Sequence, residues 1–336
     1  MIKVLKPGLL SSIQDLGRTG YQKFGVIASG AMDPFSHRMA NLLSGNEEND
    51  PALEITMMGP TLTFEEDTLI SICGGDLSPS INGQPIRTWR SVFVKKGSEL
   101  KFGGCQKGCR AYLAVSGGFA VPEVMNSKST YLRAGIGGFK GRALKAGDLL
   151  ETGKPSLQSL KMKDFLSKQL LDKAFVENDW GIASKLIPET VGNPEIRITR
   201  GRQFDLFTHE SRIQLFNHAF EVTAQSDRMG YRLKGPALAL SEHAEQISEA
   251  VNFGSIQVPP DGNPIVLLAD RQTTGGYPKI GQVAAVDLPL LAQAKPGDAL
   301  RFAEISNEQA QQLLIKREMK LKELKQGIFL KTRGGN

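Results

Sequence analysis

The chain has 336 residues, of which 40% are hydrophobic and 23% are charged, and its formal net charge is +6. This composition is typical of a globular protein and excludes a disordered or collagen-like chain, and the length suits two domains of roughly 150 residues each. No stretch approaches the ~18 apolar residues of a membrane span, and the N-terminal residues lack the pattern of a signal peptide. We therefore expect a cytoplasmic protein that is not membrane-bound.

The charge distribution argues against a nucleic-acid-binding protein, and the cysteine content argues against a disulfide-linked one. Lys and Arg are spread along the chain, apart from the tail KREMKLKELK, with little aromatic interleaving, so no nucleic-acid partner is predicted. The positive charge favours an anionic small substrate or an acidic partner surface, and a solvated surface without a role is an equal alternative. The 3 cysteines cannot all pair, which indicates reduced thiols, and the 4 histidines are scattered. We predict no metal site, because no metal-ligand spacing is present.

The beginning of the chain is predicted to contain two strands and one helix. Residues 9–25 are punctuated by glycine and predict a strand, a turn and a second strand. Asp33 before Pro34 is the pattern of a helix N-cap, and apolar residues at helical spacing continue to a glycine stop at Gly45. A short amphipathic helix is therefore expected at 33–44.

The following segment predicts an all-β structure. Between residues 53 and 102 short strands alternate with turns at spacings of ~8–12 residues, as in a sandwich or barrel. The Asn82–Gly83 dipeptide indicates a hairpin. The expected strands have the sequences TLTF, LISIC, SVFVKK and ELKF, followed by RAYLAV.

The composition changes after about Pro155. Residues 160–175 have helical periodicity and are flanked by prolines, which predicts a helical connector between two halves. A second strand-rich region begins at EIRITRG, and Ser306 and Gln309 then occupy capping-box positions before a basic helix that is expected to end near Gly327. The predicted domains are a first β-barrel-like domain at 1–153, the connector at 154–194, a second β-barrel-like domain at 195–305, and the basic C-terminal helix and tail at 306–336.

Three blocks of the first half recur in the second half in the same order. Such colinear repetition predicts a duplicated β domain. Functional divergence is expected where the copies differ, in the 33–44 helix of the first copy and the 273–279 loop of the second. The first block matches Arg18, Gly20, Tyr21 and Gly25 with Arg228, Gly230, Tyr231 and Gly235 at one constant offset; the second matches Glu54 and Gly59 with Glu249 and Gly254; the third matches Gly97, Leu100 and Phe102 with Gly297, Leu300 and Phe302.

A polar loop from Asp270 to Lys279 follows the buried-strand pattern at 264–269. Asp270 and Lys279 suit proton transfer or charge stabilisation, and the amide and hydroxyls between them suit the orientation of an amide or carboxylate. The alternative is a hairpin in which these groups only cap the backbone; we favour the functional interpretation, because one turn does not need so many polar groups. The predicted catalytic residues are Asp270, Lys279 and Asp227, and the predicted substrate-binding residues are Arg228, Gln257, Gln272, Thr273, Thr274 and Tyr277.

Two other motifs have both a functional and a structural interpretation. The pairs Asp15/Arg18 and Asp227/Arg228 either hold an anionic ligand or tie down their own glycine turns by internal salt bridges; we favour the structural role for one pair and leave the other open. In GIGGFKGR, Lys140 and Arg142 are the predicted phosphate-binding residues, although a plain β-turn is the favoured interpretation. No P-loop and no Ser-His-Asp or Cys-His pattern is present.

Several motifs together resemble one family over roughly residues 14–302. They are IQDLGRTGY, SGAMD, LAVSGGF, SKSTY, GGFKGR, SDRMGYRLKG and GSIQVPPDGNPIVLLADRQTTGGYP. These motifs resemble those of the carboxyltransferase subdomain A/B family. That family includes the KipA-type C subunit of 5-oxoprolinase and the allophanate hydrolase subunit 2-like part of urea carboxylase. The resemblance implies a mainly β fold of two duplicated cyclophilin-like β-barrel domains with short helices and a C-terminal helix.

The resemblance also implies a function shared with partner chains. It implies the C subunit of an ATP-dependent 5-oxoprolinase, which opens 5-oxo-L-proline to L-glutamate together with an A component and a KipI-like B component, and which does not act alone. ATP, with Mg, is the implied co-substrate, and no bound metal or biotin is expected on this chain. Two alternatives are a regulator that binds a KipI-like inhibitor of a sporulation histidine kinase, and a urea carboxylase-related carboxyltransferase component.

Overall fold

A computed structural model describes residues 1–189, 193–242 and 247–333, which form two compact units. The first unit comprises Met1–Arg18, Ser29–Pro188 and Leu321–Asn336, and the second comprises Thr19–Ala28 and Glu189–Lys320. The segment predicted as a connector, 154–194, contributes to the first unit as far as Pro188. Its helix packs there because Met162 and Leu166 are buried in a hydrophobic cluster with Leu69 and Phe93.

The first unit contains two six-stranded sheets. Their inner faces share one hydrophobic core, to which both sheets contribute buried aliphatic and aromatic side chains. The strand orders are β11-β1-β4-β9-β6-β7 and β12-β8-β5-β10-β3-β2, with β1 Ile2–Lys6, β2 Leu10–Gln14, β3 Ala52–Thr56, β4 Thr61–Phe64, β5 Thr68–Asp76, β6 Ser80–Ile81, β7 Gln84–Pro85, β8 Ser91–Val94, β9 Glu99–Lys101, β10 Lys107–Val115, β11 Leu149–Leu150 and β12 Phe175–Glu177.

The local turn and cap signals of the first unit are confirmed. Asn82 and Gly83 join β6 to β7 with φ of 49° and 80°, the left-handed pair that a type I′ hairpin requires. The predicted helix is α1, Pro34–Leu43, and the Asp33 side chain caps it by accepting a 2.9 Å hydrogen bond from the Ser36 N–H.

Two predicted elements of the first half differ from the structure. The second strand of 9–25 is wrong: Gln22–Phe24 is a short 3₁₀ helix, closed by Gly25 at φ 79°. Helix α2 spans Leu157–Ser167, so the helical prediction over 160–175 is wrong at its end, where Phe175 instead pairs with Val94 of β8.

The second unit is built around a closed barrel of seven strands. The circuit is β13-β20-β17-β18-β15-β14-β21, and it closes through the parallel pair β13–β21. Its strands are β13 Glu195–Arg200, β14 Ala219–Val222, β15 Gly230–Lys234, β17 Ser255–Gln257, β18 Ile265–Leu267, β20 Lys279–Val283 and β21 Ala299–Glu304, while β16 Glu249–Ala250 and β19 Thr274–Gly275 form a separate ribbon. The mainly β fold with a C-terminal helix is thus confirmed.

The remaining helices are α3 His209–Asn217, α4 Leu288–Ala292 and α5 Asn307–Arg333. The capping box of α5 is confirmed, because Ser306 N–H donates to Gln309 Oε1 at 2.8 Å and Gln309 N–H donates to Ser306 Oγ at 3.2 Å. The predicted end near Gly327 is wrong. The helix continues because Ile328 is buried in a hydrophobic cluster of the first unit, which outweighs the ~1 kcal/mol cost of an internal glycine.

The duplication is clearest in its third block. Gly97 and Gly297 both have a left-handed backbone, with φ of 82° and 91°. Leu100 in β9 and Leu300 in β21 follow them and are fully buried. The two copies therefore use the same turn to lead into a core strand. Among the helices of the described residues, none has the length and apolarity that crossing a membrane requires.

Candidate functional site

The loop from Asp270 to Lys279 connects two strands of the closed barrel, β18 and β20. In its middle, Thr274 and Gly275 form β19, which pairs with Ala250 and Glu249 of β16. The Thr273 carbonyl accepts a further hydrogen bond of 3.2 Å from the Val251 N–H. The predicted loop is therefore a two-stranded ribbon beside the barrel and not a simple hairpin.

Arg228 and Asp270 form a buried ion pair at the base of this ribbon. The Arg228 Nε lies 3.0 Å from Asp270 Oδ2, and Nη2 lies 3.1 Å from Oδ1. The Asp270 N–H also donates to the Arg228 carbonyl at 2.8 Å. Both residues are 5% exposed. A bidentate pair of this kind fixes the orientation of both groups, so two predicted site residues hold each other at the end of β18.

The Asp–Arg motifs of the two copies make different contacts, and an anionic ligand at either pair stays a prediction. Asp227 ties its own turn, because its Oδ1 accepts from the Met229 N–H at 2.7 Å and the Gly230 N–H at 3.3 Å. In the first unit Arg18 donates to main-chain carbonyls, to Val124 O from Nε at 3.0 Å. The arginine of the second unit is paired with the Asp270 carboxylate at the end of the site strand, and the arginine of the first unit binds main-chain carbonyls.

Lys279 is held at the other end of the loop. Its Nζ donates to Glu249 Oε2 at 2.7 Å and to the Ala250 carbonyl at 3.2 Å. Glu249 also lies 3.2 Å from Arg202 Nη1. The hydrogen bond from Lys279 lowers the pKa of Glu249 below its ordinary value. The ribbon therefore carries a fixed ammonium whose counter-ion remains ionised at neutral pH.

The predicted substrate-binding side chains divide into a buried and an exposed group. Gln257 is buried and donates from Nε2 to the Tyr277 carbonyl at 3.2 Å. It lies so close to Gly275 that a Cβ there would approach Gln257 Nε2 to 2.5 Å. Gln272 and Thr274 are exposed, Thr273 is half-buried, and Tyr277 is 47% exposed. The exposed group is available for a ligand, and Gln257 supports it from below.

The predicted phosphate-binding residues, Lys140 and Arg142, lie in the first unit, whereas the loop from Asp270 to Lys279 belongs to the second unit. Arg142 makes a bidentate pair with Asp148, with Nη1 and Nη2 at 2.8 and 2.7 Å from the carboxylate. This hydrogen bond raises the pKa of Arg142 and lowers that of Asp148. Lys140 is exposed, has φ 57° and lies 5.1 Å from the Phe139 ring. Its phosphate contact remains a prediction, with Arg142 committed to Asp148.

The sequence interpretation missed a buried loop cluster in the first unit, formed by residues 14–18, 29–33, 124–130 and 135–142. The Asp15 carboxylate is buried and accepts from Gly17 N–H at 2.8 Å, Ser127 Oγ at 2.9 Å and Lys128 N–H at 2.6 Å, and it also contacts Ser129 Oγ. The motifs IQDLGR, SGAMD, SKST and GGFKGR are all rich in polar residues and glycine, which was the one available indication in the sequence. Their spacing along the chain does not show that they come into contact.

Four residues of the same loop cluster have positive φ although they are not glycine. Ser29 is buried, and Met125, Asn126 and Lys140 are exposed. The Ser29 hydroxyl donates to the Thr130 carbonyl at 3.0 Å. Non-glycine residues in this conformation persist only where the surroundings hold them. The first unit therefore contains a preorganised polar region of its own, in addition to the ribbon of the second unit.

A buried chain of hydrogen bonds, the polar chain, connects residues 29–33 to side chains of the core. Glu54 Oε2 accepts from the Met32 N–H at 2.9 Å and from the Tyr112 hydroxyl at 2.8 Å, and that hydroxyl accepts from the Asp33 N–H at 2.8 Å. Burial raises the pKa of Tyr112 well above its usual range and lowers that of His37. The phenol is thus neutral and suited to a structural hydrogen bond.

Metal-ligand geometry is not found in the described ranges. Within residues 1–189, 193–242 and 247–333, no group of three or more His, Cys, Asp or Glu side chains comes close enough to hold a metal ion. Burial raises the pKa of the Cys73 thiol well above its ordinary value, so this thiol stays protonated. The predicted absence of a metal site stays a prediction.

Comparison with known proteins points to one family. The family described as carboxyltransferase domain, subdomain A and B, matches residues 24–304. The C subunit of 5-oxoprolinase from Haemophilus influenzae is 37% identical over 325 residues, covering 97% of this chain and 98% of that protein. The C subunit of 5-oxoprolinase from Escherichia coli is 37% identical over 310 residues, covering 92% and 93%.

Longer relatives contain the same region as one part. Urea amidolyase of Lachancea kluyveri is 33% identical over 97% of this chain, which corresponds to 18% of that protein. The crystal structure of the K. lactis urea amidolyase superposes with a TM-score of 0.85 at 33% identity, over 96% of this chain and 20% of that chain. The chain thus spans about a fifth of the length of these relatives.

Proposed function

The chain belongs to the carboxyltransferase subdomain A and B family, as its motifs predicted, and on that basis we propose that it is the C subunit of an ATP-dependent 5-oxoprolinase. The observation that carries the proposal is the extent of the match. Two relatives named as C subunits of 5-oxoprolinase align over more than nine-tenths of both chains, whereas the urea amidolyases align over less than a fifth of their length. Their name makes this chain one component of a hydrolase complex, and we propose the A and B components of that enzyme as its partners in the cytoplasm.

The proposed reaction requires activation of an unreactive amide. The lactam carbonyl of 5-oxoproline is a poor electrophile because its nitrogen donates electron density to the carbonyl. Transfer of the γ-phosphoryl group of ATP to the carbonyl oxygen releases ADP and makes the ring carbon electrophilic. Water then adds to that carbon, and the ring C–N bond breaks with protonation of the nitrogen, which leaves an acyl phosphate. A second water hydrolyses the acyl phosphate, and the products are L-glutamate, ADP and phosphate.

The ribbon of the second unit supplies groups for the anionic substrate. Lys279 is the positive group, oriented by Glu249 at 2.7 Å, and it suits a carboxylate or the negative charge that develops on the ring oxygen. The hydroxyls of Thr274 and Tyr277 and the amide of Gln272 lie on the exposed side of the loop and suit hydrogen bonds to the lactam. These groups define the proposed substrate contact.

Asp270 and Asp227 have a different place in the proposal. Asp270 is buried against Arg228, and Asp227 binds the N–H groups of its own turn. Both oxygens of the Asp270 carboxylate already accept hydrogen bonds from the Arg228 guanidinium, so this carboxylate is poorly placed to exchange protons with a substrate. We therefore assign both carboxylates to the positioning of the ribbon, and not to proton transfer.

The function is tested by reconstitution. The purified A and B components would be assayed with and without this chain for release of L-glutamate and ADP from 5-oxoproline and ATP. We expect turnover only in the complete mixture, and a strong decrease with Lys279→Met although the complex still assembles. The control is Lys168→Met, which removes an exposed lysine that directly follows α2 in the first unit and should leave turnover unchanged. Equal turnover without this chain would sink the proposal.

The relatives also support one alternative, a urea carboxylase-related carboxyltransferase component. Its support is the 33% identity to urea amidolyase over nearly the whole chain. It predicts ATP- and bicarbonate-dependent consumption of urea when a biotin-carrying partner is added, with 5-oxoproline inert. The regulatory role as an antagonist of a KipI-like inhibitor stays a prediction. It requires only binding, so Lys279→Met would leave partner binding and relief of the kinase intact.

A further inference from the structure

A second polar surface of the closed barrel lies at the far end of the β15–β18 pair from Arg228 and Asp270. Arg228 precedes β15 and Asp270 follows β18, whereas Arg232 lies further along β15 opposite Ile265 at the beginning of β18. Arg228 and Asp270 thus lie at the end of the pair where Gly230 faces Leu267, and Arg232 and Ile265 lie at the other end. The two surfaces are therefore separate places on one barrel.

This surface contains a cavity of about 340 Å³. Its volume falls within the ~300–1,000 Å³ that small-molecule sites occupy. Part of its wall is apolar, with Ile265 as an example, and the rest is polar. The polar lining residues are Thr223, Gln225, Arg232, Lys234, Asp261 and Asn263.

The charge of the cavity is predominantly positive. Arg232 and Lys234 are two residues apart on the exposed face of β15, and neither forms an ion pair with another described residue. Lys234 is the cross-strand neighbour of Glu221 on β14, but the two are not ion-paired. Asp261 is the carboxylate among the described lining residues, and its Oδ1 accepts from the Asn263 N–H at 3.0 Å within its own turn. The cavity therefore contains two cations that have no ion-pair partner among the described residues, and one carboxylate that is hydrogen-bonded within its own turn.

A buried hydroxyl adds a neutral donor to the two cations. Thr223 lines the cavity, and within the part of the chain that the structure describes its Oγ1 is shielded from solvent without a hydrogen-bond partner. Buried hydroxyls are normally hydrogen-bonded. The missing partner of this hydroxyl is explained if it donates a hydrogen bond to a ligand oxygen. A guanidinium that offers two parallel N–H donors, an ammonium and a hydroxyl together match the oxygens of a phosphate group.

Comparison of the two sequence copies separates these cations from the shared scaffold. At the offset that aligns Arg18 with Arg228, the first copy has Gln22 in place of Arg232 and Phe24 in place of Lys234. The first copy therefore lacks both cations at the aligned positions, where its residues 22–24 form a 3₁₀ helix and not a strand. Both positive charges belong to the second copy alone.

We propose that the cavity lined by Thr223, Arg232 and Lys234 binds the phosphate group of a small molecule, either free phosphate or a phosphate ester such as a nucleotide. The proposal is independent of the 5-oxoprolinase function, because it concerns binding by this chain alone at a surface away from the ribbon. Binding at the cavity and turnover at the ribbon can therefore succeed or fail separately.

The test is equilibrium binding to the full-length chain, measured by isothermal titration with inorganic phosphate, ATP, adenosine and 5-oxoproline in turn. We expect phosphate and ATP to compete for one site, and adenosine and 5-oxoproline not to displace them. Arg232→Ala and Lys234→Ala should each raise the Kd for phosphate by ~10-fold or more, because each removes a charge-assisted contact. Thr223→Val keeps the side-chain shape and should raise the Kd by a smaller factor.

The matched control is Arg301→Ala, which removes an exposed arginine from β21 of the same barrel and should leave the Kd unchanged. Arg232 and Lys234 are exposed, so their variants should fold, which circular dichroism would check. An ATP preference over phosphate identifies a nucleotide, and equal affinity identifies the phosphate group alone. The proposal is overturned if neither phosphate nor ATP binds, if both cation variants bind like the parent chain, or if 5-oxoproline displaces the bound phosphate or ATP.

Discussion

The guanidinium of Arg228 and the carboxylate of Asp270, which are 42 positions apart in the chain, meet in a bidentate ion pair with contacts of 3.0 and 3.1 Å. Both side chains are almost fully excluded from solvent. The pair joins the turn before β15 to the end of β18, where the ribbon begins. The geometry of the proposed substrate site therefore depends on a contact that is itself buried.

Removal of one partner of this pair should destabilise the second unit. Asp270→Ala leaves the Arg228 charge buried beside an empty position, and the expected loss in the free energy of unfolding is ~3–5 kcal/mol. Urea denaturation would measure it. The control is Asp164→Ala, whose pair with Lys168 is exposed, with side chains 64% and 71% accessible, and which should change stability by less than ~1 kcal/mol. A similarly small effect for Asp270→Ala would contradict the role of the pair.

The Lys279–Glu249 contact should depend on pH in one direction. The hydrogen bond from Lys279 lowers the pKa of Glu249 from its ordinary 4.5, so the contact stabilises the ribbon above that value and is lost as the pH falls through the lowered pKa. In Lys279→Met the pKa of Glu249 should rise towards the ordinary value. Carboxyl-carbon NMR titration would follow it, with Lys168→Met as a control that leaves Glu249 unchanged. An unaltered titration in Lys279→Met would mean that the contact is absent in solution.

Two neighbouring glycines of the first unit should respond differently to the same substitution. Gly135 and Gly137 both have left-handed backbones, with φ of 65° and 69°, so alanine costs ~1–2 kcal/mol of backbone strain at each. A Cβ on Gly135 meets open space, whereas a Cβ on Gly137 overlaps the Ser129 carbonyl oxygen. Gly137→Ala should therefore lower the midpoint of thermal unfolding much more than Gly135→Ala. Equal midpoints would show that the buried loop cluster is loosely packed.

The Tyr112 hydroxyl should stabilise the first unit, whereas that of Tyr277 should contribute little to the second. Tyr112→Phe deprives Glu54 of a donor and the Asp33 N–H of an acceptor, each at 2.8 Å. Loss of buried partners of this kind costs ~1–3 kcal/mol. Tyr277→Phe changes a side chain that is 47% exposed and is expected to alter stability by less than ~0.5 kcal/mol. Denaturant unfolding of both variants would compare them, and a neutral Tyr112→Phe would show that the polar chain contributes nothing.

Turn and cap chemistry could be predicted from the sequence because it depends on adjacent residues. The Asn82–Gly83 hairpin, the Asp33 cap of α1 and the Ser306–Gln309 box are each set by a few neighbouring side chains, and each is confirmed. The end of α5 was wrong for the opposite reason. Gly327 is a local signal to stop, and it is outweighed by the burial of Ile328 against residues distant in the chain.

The sequence by itself determined the family, the mainly β character, the internal duplication and the polar composition of the Asp270–Lys279 loop, because each of these is written in residue types and short spacings. Only the tertiary structure decided that Arg228 pairs with Asp270, that Arg18 binds carbonyls, and that Lys279 is held by Glu249. Partners of this kind are separated by tens of positions, and the choice between carboxylate, carbonyl and solvent is made by which groups the folded barrel brings within hydrogen-bond distance. Composition specifies the available charges, and the strand register specifies which of them meet.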